Sequence, residues 1–489
     1  MPRATVPDTR IRPGSPHGLN PEGEYVLYWM TAFRRLGWNF ALQHAADLSR
    51  DLSKPLVVLE TLLADYPYAS HRLHRFILDG MAERSRKLVG GPALHYPFVE
   101  REGGEARGLL PALAAGACCV VVDDFPSFFL PRMVADACAR VEARFELVDS
   151  NGLLPLAAAD RTFTAAFHFR RFLQRELSGH LLEMPQADPM ADLPRGEALR
   201  LPAEILQRWP LADPDLLSGG VGLPEGVGLD DSVPPVEYPG TTEEAGRRLR
   251  ALLQDRLGRY AEDRNHPDLD ATSGLSPFLH FGNISSHEVF AGIAAREGWS
   301  PLRLSERTDG ARAGWWGMGP GAEAFLDQLV TWRELGFNMT SREEDYARYG
   351  SLPQWARSTL EEHEGDPRPH VYTLQEFREA RTHDPLWNAA QRQLLEEGVI
   401  HNYLRMLWGK KILHWTPSAR EALDIMVDLN DRLAVDGRDP NSYSGIFWCL
   451  GRYDRGWPER PVFGKVRSMS SSRTRAKVRL DSYLDRFGS

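Results

Sequence analysis

The sequence is poor in cysteine, and this shortage excludes several kinds of protein. Only four of the 489 residues are cysteine, and they form neither a CxxC pair nor a cluster with histidine. No zinc site, other metal site or disulfide framework is therefore predicted. Reduced thiols are typical of a cytosolic protein, so we expect a cytoplasmic location.

Long apolar runs and the common nucleotide-binding motifs are also missing. No run is long enough to cross a membrane, and the N-terminal MPRATVPDTRIRPGSPHG lacks the apolar core of a secretion signal. Neither a GxGxxG motif nor a P-loop is present. Without the usual dinucleotide and triphosphate signatures, a nucleotide site would have to be built in another way.

What the chain does contain is unevenly distributed. The formal net charge is −9, yet the segment from Gly451 onward holds ten Lys or Arg and four Asp or Glu, a local +6 that leaves −15 for the rest. A basic segment on an acidic chain predicts contact with a polyanion, and a solvated charged face is the alternative. Ten of the 13 tryptophans lie from Trp299 onward. This excess predicts a helical core, an aromatic ligand site or both.

The apolar pattern predicts two domains of different class. In residues 1–183, strand-like runs at 25–30, 56–59, 95–99 and 119–123 alternate with helical stretches, which predicts a Rossmann-like α/β domain with a parallel sheet. About the first 23 residues are expected to be flexible. Residues 184–240 are rich in Pro and Gly and predict a linker, and residues 241–489 predict an all-α domain with a basic C-terminal segment. Ligands of parallel sheets bind beyond the strand carboxyl ends, so Asp123 and Asp124 lie at a candidate site mouth.

Six strings in the helical half are specific in combination. They are TSGLSPFLHFGNIS (272–285), WREL (332–335), ARTHDPLWN (380–388), RMLWGKK (405–411), DGRDPN (436–441) and GWPERPVFGKVR (456–467). In this order, behind an α/β domain, they resemble the photolyase/cryptochrome flavoprotein superfamily, and in particular the class II cyclobutane pyrimidine dimer photolyases. The resemblance extends from about Glu24 to Arg467.

The resemblance implies a light-driven DNA repair enzyme. It implies FAD in the helical domain, active as FADH⁻, which passes an electron to a pyrimidine dimer in UV-damaged DNA so that the dimer splits. An antenna pigment in the α/β domain is also implied, with a deazaflavin of the 8-HDF type as the expectation. We expect a monomer, associated with the nucleoid in a bacterium. A cryptochrome-like blue-light photoreceptor with weak or no repair activity is the alternative, and a flavoprotein with dark redox chemistry is a third.

The flavin-binding residues are implied residue by residue. Their side chains and backbone groups are suited to phosphate, ribityl and isoalloxazine contacts, and they are Tyr260, Thr272, Ser273, Gly274, Leu275, Ser276, Arg333, Arg405, Asn430, Asp436, Arg438 and Asp439. Hydroxyls at the opening of a helix suit a pyrophosphate, although a simple helix cap explains them equally. A cation at Arg405 would stabilise an anionic flavin, whereas a structural ion pair with Asp436 is the plainer interpretation. Asn430 corresponds to the family's polar side chain beside flavin N5, although an isolated Asn more often caps a helix.

Three tryptophans correspond to the family's electron-transfer chain. Trp408 and Trp415 are two helical turns apart, and Trp387 lies in DPLWN. From spacing alone, core packing is the better explanation. The resemblance implies that the three carry an oxidising equivalent from the flavin to the surface.

A further set is implied to hold the lesion and the DNA. Its members are Gln328, Trp332, Met406, Trp448, Arg455, Lys465 and Arg467. A flipped dimer would stack on indole rings, and the cations would contact phosphates. Family members usually carry glutamate where this chain has Gln328, four residues before Trp332. Glutamine donates a hydrogen bond but does not readily give a proton, so repair is expected to be slower or directed to another lesion. The segment 468–477 also departs from the family pattern, which keeps the photoreceptor alternative open.

Overall fold

The computed structural model describes residues 5–194, 199–219 and 229–488. The chain divides into two compact units. The first comprises Met1–Ala159, Gly179–Leu249 and Leu275–Gly292, and the second comprises Asp160–Ser178, Arg250–Gly274 and Ile293–Ser489. The domain limits predicted from the sequence stay predictions, and parts of the predicted linker, 195–198 and 220–228, lie outside the described residues.

The first unit contains a six-stranded, mostly parallel sheet. Its strands are β1 Ile11–Pro13, β2 Tyr25–Met30, β3 Leu56–Leu62, β4 Ala93–Val99, β5 Ala117–Asp123 and β6 Phe145–Val148. They are ordered β1-β6-β5-β2-β3-β4, and only the β1–β6 pair is antiparallel. Every residue of β2, β5 and β6 is buried, as expected for apolar runs covered on both faces. The predicted combination of a parallel α/β part and a helical part is confirmed.

Helices make up most of the remaining described structure. In chain order they are α1 Phe40–Leu52, α2 His71–Leu88, α3 Leu109–Ala115, α4 Leu130–Cys138, α5 Ala166–Glu176, α6 Ala203–Arg208, α7 Pro214–Ser218, α8 Thr242–Ala251, α9 Tyr260–Asp263, α10 Ser276–His280, α11 Ser286–Arg296, α12 Pro320–Leu326, α13 Arg333–Arg342, α14 Gln354–Glu362, α15 Leu374–Arg378, α16 Pro385–Glu397, α17 Asn402–His414, α18 Ala419–Leu433, α19 Pro440–Cys449, α20 Ser471–Lys477 and α21 Asp481–Phe487. Two π-helical turns, Leu252–Arg256 and Asp327–Trp332, extend α8 and join α12 to α13. No helix among the described residues is long and apolar enough to span a membrane.

Helix α5 lies before the predicted linker but packs within the second unit. The Arg170 guanidinium on α5 forms a buried ion pair with Asp327 at 2.8 Å. Asn338 adds a hydrogen bond from its amide nitrogen to the Arg161 carbonyl at 2.9 Å. Burying a charge without its partner is costly, so these pairs hold the segment against α12 and α13.

Two glycines allow α13 and α17 to approach α19 closely. A Cβ atom at Gly336 would lie 2.6 Å from the Pro440 carbonyl oxygen, and one at Gly409 would lie 2.5 Å from the Cys449 Sγ. No side chain fits at either distance. The three helices therefore form the packed group that carries most of the candidate site residues.

Candidate functional site

A nearly buried ion pair is at the centre of the predicted flavin-binding residues. The Arg405 guanidinium on α17 contacts both carboxylate oxygens of Asp436 at 2.8 and 3.1 Å. Only 15% and 11% of the two side chains are exposed. The structure therefore joins two residues that lie 31 positions apart, as the resemblance implied. This exposure leaves one side of the pair accessible to a ligand.

The Asn430 amide is oriented by hydrogen bonds on both sides. Its nitrogen donates to the Asp431 carboxylate at 2.9 Å and to the Ser442 hydroxyl at 2.7 Å. Its oxygen accepts a long hydrogen bond of 3.4 Å from the Arg405 guanidinium. Burial raises the pKa of Asp431, which also accepts from the Tyr443 hydroxyl. With both amide protons used, the oxygen of Asn430 is the group that remains for an N–H donor.

The sequence reasoning missed His401, which lies one helical turn before Arg405. Its Nδ1 atom is buried and has no hydrogen-bond partner among the described residues. Burial lowers the pKa of His401 to about 4, so the imidazole is neutral at neutral pH. Arg264 lies against this ring and also covers the Tyr260 ring at 5.5 Å, which links Tyr260 to the same region. The only signal in the sequence was the four-residue spacing from Arg405.

The predicted phosphate-binding segment is a bend rather than the start of a long helix. Thr272, Ser273 and Gly274 are partly exposed, and Gly274 adopts a φ of 64°, a left-handed conformation that favours glycine. The carbonyl of Thr272 accepts from the Arg256 guanidinium at 3.1 Å. Leu275 and Ser276 belong to the first unit, where Ser276 begins a helix of five residues.

The remaining flavin candidates have clear structural roles. Arg438 has a φ of 63°, and its guanidinium donates to backbone carbonyls at the end of α18, including that of Asp431 at 2.5 Å. Asp439 caps α19 by accepting from the backbone N–H of Asn441. Arg333 is buried, with its guanidinium 4.3 Å from the Phe337 ring. These contacts stabilise the local backbone that presents Asp436 and α19.

The three predicted electron-transfer tryptophans form a continuous row. The Trp408 and Trp387 rings are parallel with centroids 6.4 Å apart, and the Trp387 and Trp415 rings are edge to face at 6.1 Å. The indole N–H of Trp387 donates to the Trp408 carbonyl, and that of Trp408 donates to the Gln391 side chain. Spacing alone favoured core packing. The geometry places Trp387 between the other two, and we call these residues the tryptophan row.

Gln328 and Trp332 are the two accessible positions in an otherwise buried stretch. From residue 325 to residue 340, every other side chain is buried. Both lie on the π-helical turn Asp327–Trp332, where an α-helix was predicted over 321–336. Such turns occur often at functional sites because the extra residue re-aims the side chains.

Helix α19 presents a similar accessible stripe. Asn441, Gly445 and Trp448 are its only non-buried residues, and they are spaced four and three positions apart on one face. A Cβ atom at Gly445 would lie 3.7 Å from the Cε of Met406, so Met406 borders this stripe as predicted from the resemblance. Among the described residues, no ring contact or hydrogen bond joins Trp332 to Trp448.

Cations and indole rings alternate beside Trp448. The Arg467 guanidinium lies 5.4 Å from the Trp448 ring and 4.1 Å from the Trp457 ring, and Arg455 covers Trp457 at 5.3 Å. The backbone N–H of Trp457 donates to the Lys465 carbonyl at 2.8 Å. The sequence reasoning assigned Trp457 to packing. Its position between two arginines in the basic segment could have been recognised from RGW at 455–457. We call Trp448, Arg455, Trp457, Lys465 and Arg467 the basic aromatic surface.

A buried lysine supports Trp448 from below. The Lys410 Nζ lies 4.8 Å from the Trp448 ring and donates to the Cys449 carbonyl at 2.7 Å. Burial lowers the pKa of Lys410 to about 8. Its donation to carbonyls at the end of α19 satisfies groups that a helix terminus leaves open.

In the first unit, the two predicted mouth residues have different roles. Asp123 is buried, and its Oδ2 accepts from the backbone N–H groups of Thr31, Ala32 and Phe33. Asp124 lines a cleft of about 380 Å³ and pairs with Arg12 at 2.6 Å. Asp123 is therefore a structural anchor between β5 and the end of β2, and only Asp124 faces the cleft.

Together the fold and the site define a two-part protein, with a parallel α/β unit and a helical unit that carries an ion pair, a tryptophan row and a basic aromatic surface. Over 474 residues the chain is 34% identical to the deoxyribodipyrimidine photo-lyase of Methanothermobacter thermautotrophicus, and the match covers 96% of each chain. It is 34% identical over 497 residues to the protein of the same name from Oryza sativa, covering 97% of this chain and 90% of the rice protein. The chain belongs to the photolyase/cryptochrome superfamily.

A solved structure shows the same fold. A class III photolyase from Agrobacterium tumefaciens aligns with a TM-score of 0.66 at 17% identity, covering 95% of this chain and 86% of that one. No protein-family model matches the chain. At this level of identity the structural likeness concerns the fold alone.

Proposed function

We propose that the protein is a class II-like deoxyribodipyrimidine photo-lyase that splits cyclobutane pyrimidine dimers in UV-damaged DNA under blue light. The observation that carries the proposal is the pair of accessible stripes, Gln328 with Trp332 and Gly445 with Trp448, in a helical core that is otherwise buried. Large apolar rings are left exposed in such a position when they bind something flat. The basic aromatic surface beside Trp448 supplies the cations that a phosphate backbone requires.

The residues around Arg405 fit FAD. A guanidinium with its counter-ion, a fixed amide oxygen on Asn430 and a buried acceptor without a donor at His401 together form a set of polar groups that lacks a partner on one side. When bound in reduced form, FAD supplies the photoexcited electron for dimer cleavage. Arg405 would hold negative charge near the ring system, and Asn430 would accept an N–H hydrogen bond. Thr272, Ser273 and Gly274 would contact the phosphate or ribityl groups.

Protein side chains would do the remaining work at the lesion. Trp332 and Trp448 would stack on the flipped bases, Met406 would close the pocket beside Gly445, and Gln328 would donate a hydrogen bond to a base carbonyl. The tryptophan row would return electrons to oxidised flavin, which keeps the protein in its active state. Arg455, Lys465 and Arg467 would neutralise phosphates on either side of the dimer.

One experiment separates repair from light sensing. Purified, reduced protein is mixed with an oligonucleotide that carries a single thymine dimer, and the intact thymines are quantified after blue light and after darkness. We expect restoration that depends on light. Bound FAD and blue-light photoreduction without any restored thymine would instead support the photoreceptor function, which the glutamine at position 328 favours.

Changing Gln328 to glutamate is expected to raise the repair yield several-fold. A half-buried carboxyl beside Trp332 can be protonated and can give its proton to a base carbonyl, whereas an amide cannot. The measurement is thymine restored per absorbed photon. Gln354→Glu, at an exposed position on α14, makes the same chemical change away from the stripe. An unchanged or lower yield for Gln328→Glu would mean that position 328 does not act on the lesion.

An antenna pigment of the deazaflavin type remains part of the proposal for the first unit. The cleft beside Asp124 has a volume of about 380 Å³, within the usual size range of sites for small ligands. Its lining combines the Arg12–Asp124 pair with the apolar side chains of Val134 and Leu147. We further propose that the protein acts as a monomer.

A further inference from the structure

The tryptophan row ends inside the protein. Trp408, Trp387 and Trp415 are 2%, 0% and 1% exposed. An oxidising equivalent that reaches Trp415 must still be filled by a reductant in solution. None of the three rings is open to water, so the row requires another redox-active side chain on its outer side.

Two side chains cover the outer end of the row. The Tyr372 ring lies edge to face on Trp415 with a centroid distance of 5.7 Å, and the His383 ring lies at 5.0 Å. Tyr372 is partly exposed and His383 is exposed. The backbone N–H of Tyr372 donates to the Trp415 carbonyl at 3.0 Å, which fixes this arrangement. Phe377 also contacts Trp415, but it is buried and its ring has no ionisable group.

The hydroxyl of Tyr372 already has a proton acceptor. It lies 2.7 Å from Nδ1 of His383 and accepts from the His383 backbone N–H at 3.0 Å. Partial burial and the stacked His370 lower the pKa of His383, with Lys411 acting in the same direction and Asp384 opposing it. The imidazole is therefore neutral at neutral pH and can accept a proton. A phenol loses its proton when it is oxidised, so the contact supplies what tyrosine oxidation needs.

We propose that Tyr372, with His383 as its proton acceptor, is the solvent-side end of the electron-transfer path. Tyr372 gives one electron to the oxidised indole of Trp415, and its O–H proton moves to Nδ1 of His383. This leaves a neutral indole, a neutral tyrosyl radical and an imidazolium ion. A thiolate in solution then returns one electron, becoming a thiyl radical, and His383 returns the proton. The inference rests on the proposed role of the tryptophan row, in which photoexcited oxidised FAD is the initial oxidant.

The test compares Tyr372→Phe with the parent protein, both as full-length chains with bound FAD. Phenylalanine keeps the ring contact with Trp415 and removes only the hydroxyl. After a blue flash, transient absorption and electron paramagnetic resonance identify the radical. In the parent we expect a tryptophan radical that is replaced by a tyrosyl radical, with slower conversion in D₂O. In Tyr372→Phe we expect the tryptophan radical to persist until it recombines, and the yield of reduced flavin with an external thiol to fall several-fold.

Two further variants make the outcome specific. Tyr403→Phe removes a partly exposed tyrosine of the same unit whose ring contacts Lys477, and it should leave the tyrosyl signal in place. His383→Gln should slow tyrosyl formation without removing Tyr372. A tryptophan radical that decays identically in the parent and in Tyr372→Phe, with no tyrosyl signal, would overturn the inference while leaving the row intact. No tryptophan radical in the parent would overturn both.

Discussion

Replacing Asp436 with asparagine is expected to cost the protein most of its bound FAD. Asp436 is the counter-ion of Arg405, and both side chains are largely buried. Removing one partner of a buried ion pair typically costs about 3–5 kcal/mol, because the remaining charge is left without compensation. The loss falls on the residues that would hold the isoalloxazine, so we expect cofactor retention to suffer first.

The measurement is the ratio of flavin to protein after purification, followed by titration with FAD. Asp428→Asn is the matched control. Asp428 pairs with Arg432 one turn along α18, and about a quarter of each side chain is exposed. An exposed pair of this kind contributes only about 0.3–0.5 kcal/mol, so this control should retain FAD. Equal flavin content in the two variants would show that the Arg405–Asp436 pair has a structural role only.

Replacing Trp387 with phenylalanine is expected to slow photoreduction of the bound FAD by an order of magnitude or more. Trp387 lies between Trp408 and Trp415, with ring centroids 6.4 and 6.1 Å away. An oxidised indole cannot oxidise a phenyl ring, so the substitution interrupts the row at its middle. The lost hydrogen bond to the Trp408 carbonyl costs only about 1 kcal/mol, and the fold should persist.

Photoreduction is followed from flavin absorbance under blue light with a thiol present. Trp299→Phe serves as the control, because Trp299 contacts Trp316 and donates to its carbonyl outside the row. We expect this control to photoreduce at the parental rate. If Trp387→Phe photoreduces equally fast, electrons reach the flavin by another path and the row is core packing.

The strands were predictable because their residues are locally distinctive. Tyr25–Met30 and Ala117–Asp123 are continuous apolar runs, which is the pattern of a strand buried on both faces. The β1 and β6 strands were missed, since three and four residues carry too little periodicity. Two sequence expectations met tertiary overrides: the helix over 321–336 contains a π-helical turn, and the segment at 272–276 opens a helix of only five residues. Local propensity contains no information about either.

The site was predictable where motif residues bind one another and unpredictable where they acquire partners from elsewhere. Arg405 and Asp436 were paired in advance through the resemblance, and the structure brings them within 2.8 Å. His401, Trp457 and Tyr372 were not assigned any chemistry. Their significance lies in an unpartnered atom, two flanking guanidiniums and a contact with a ring 43 residues away in sequence, which no spacing rule anticipates.

By itself, the sequence determined the class of fold, the excess of indole in the second half and the basic charge near the C-terminus. These are properties of composition and short-range pattern, which do not depend on how distant segments meet. Tertiary structure alone decided which indoles are buried in a row and which are left open beside cations, because burial depends on the packing of α13, α17 and α19 through their glycines. It also decided that the row stops short of water at Trp415, which is the reason to look for its outer end at Tyr372.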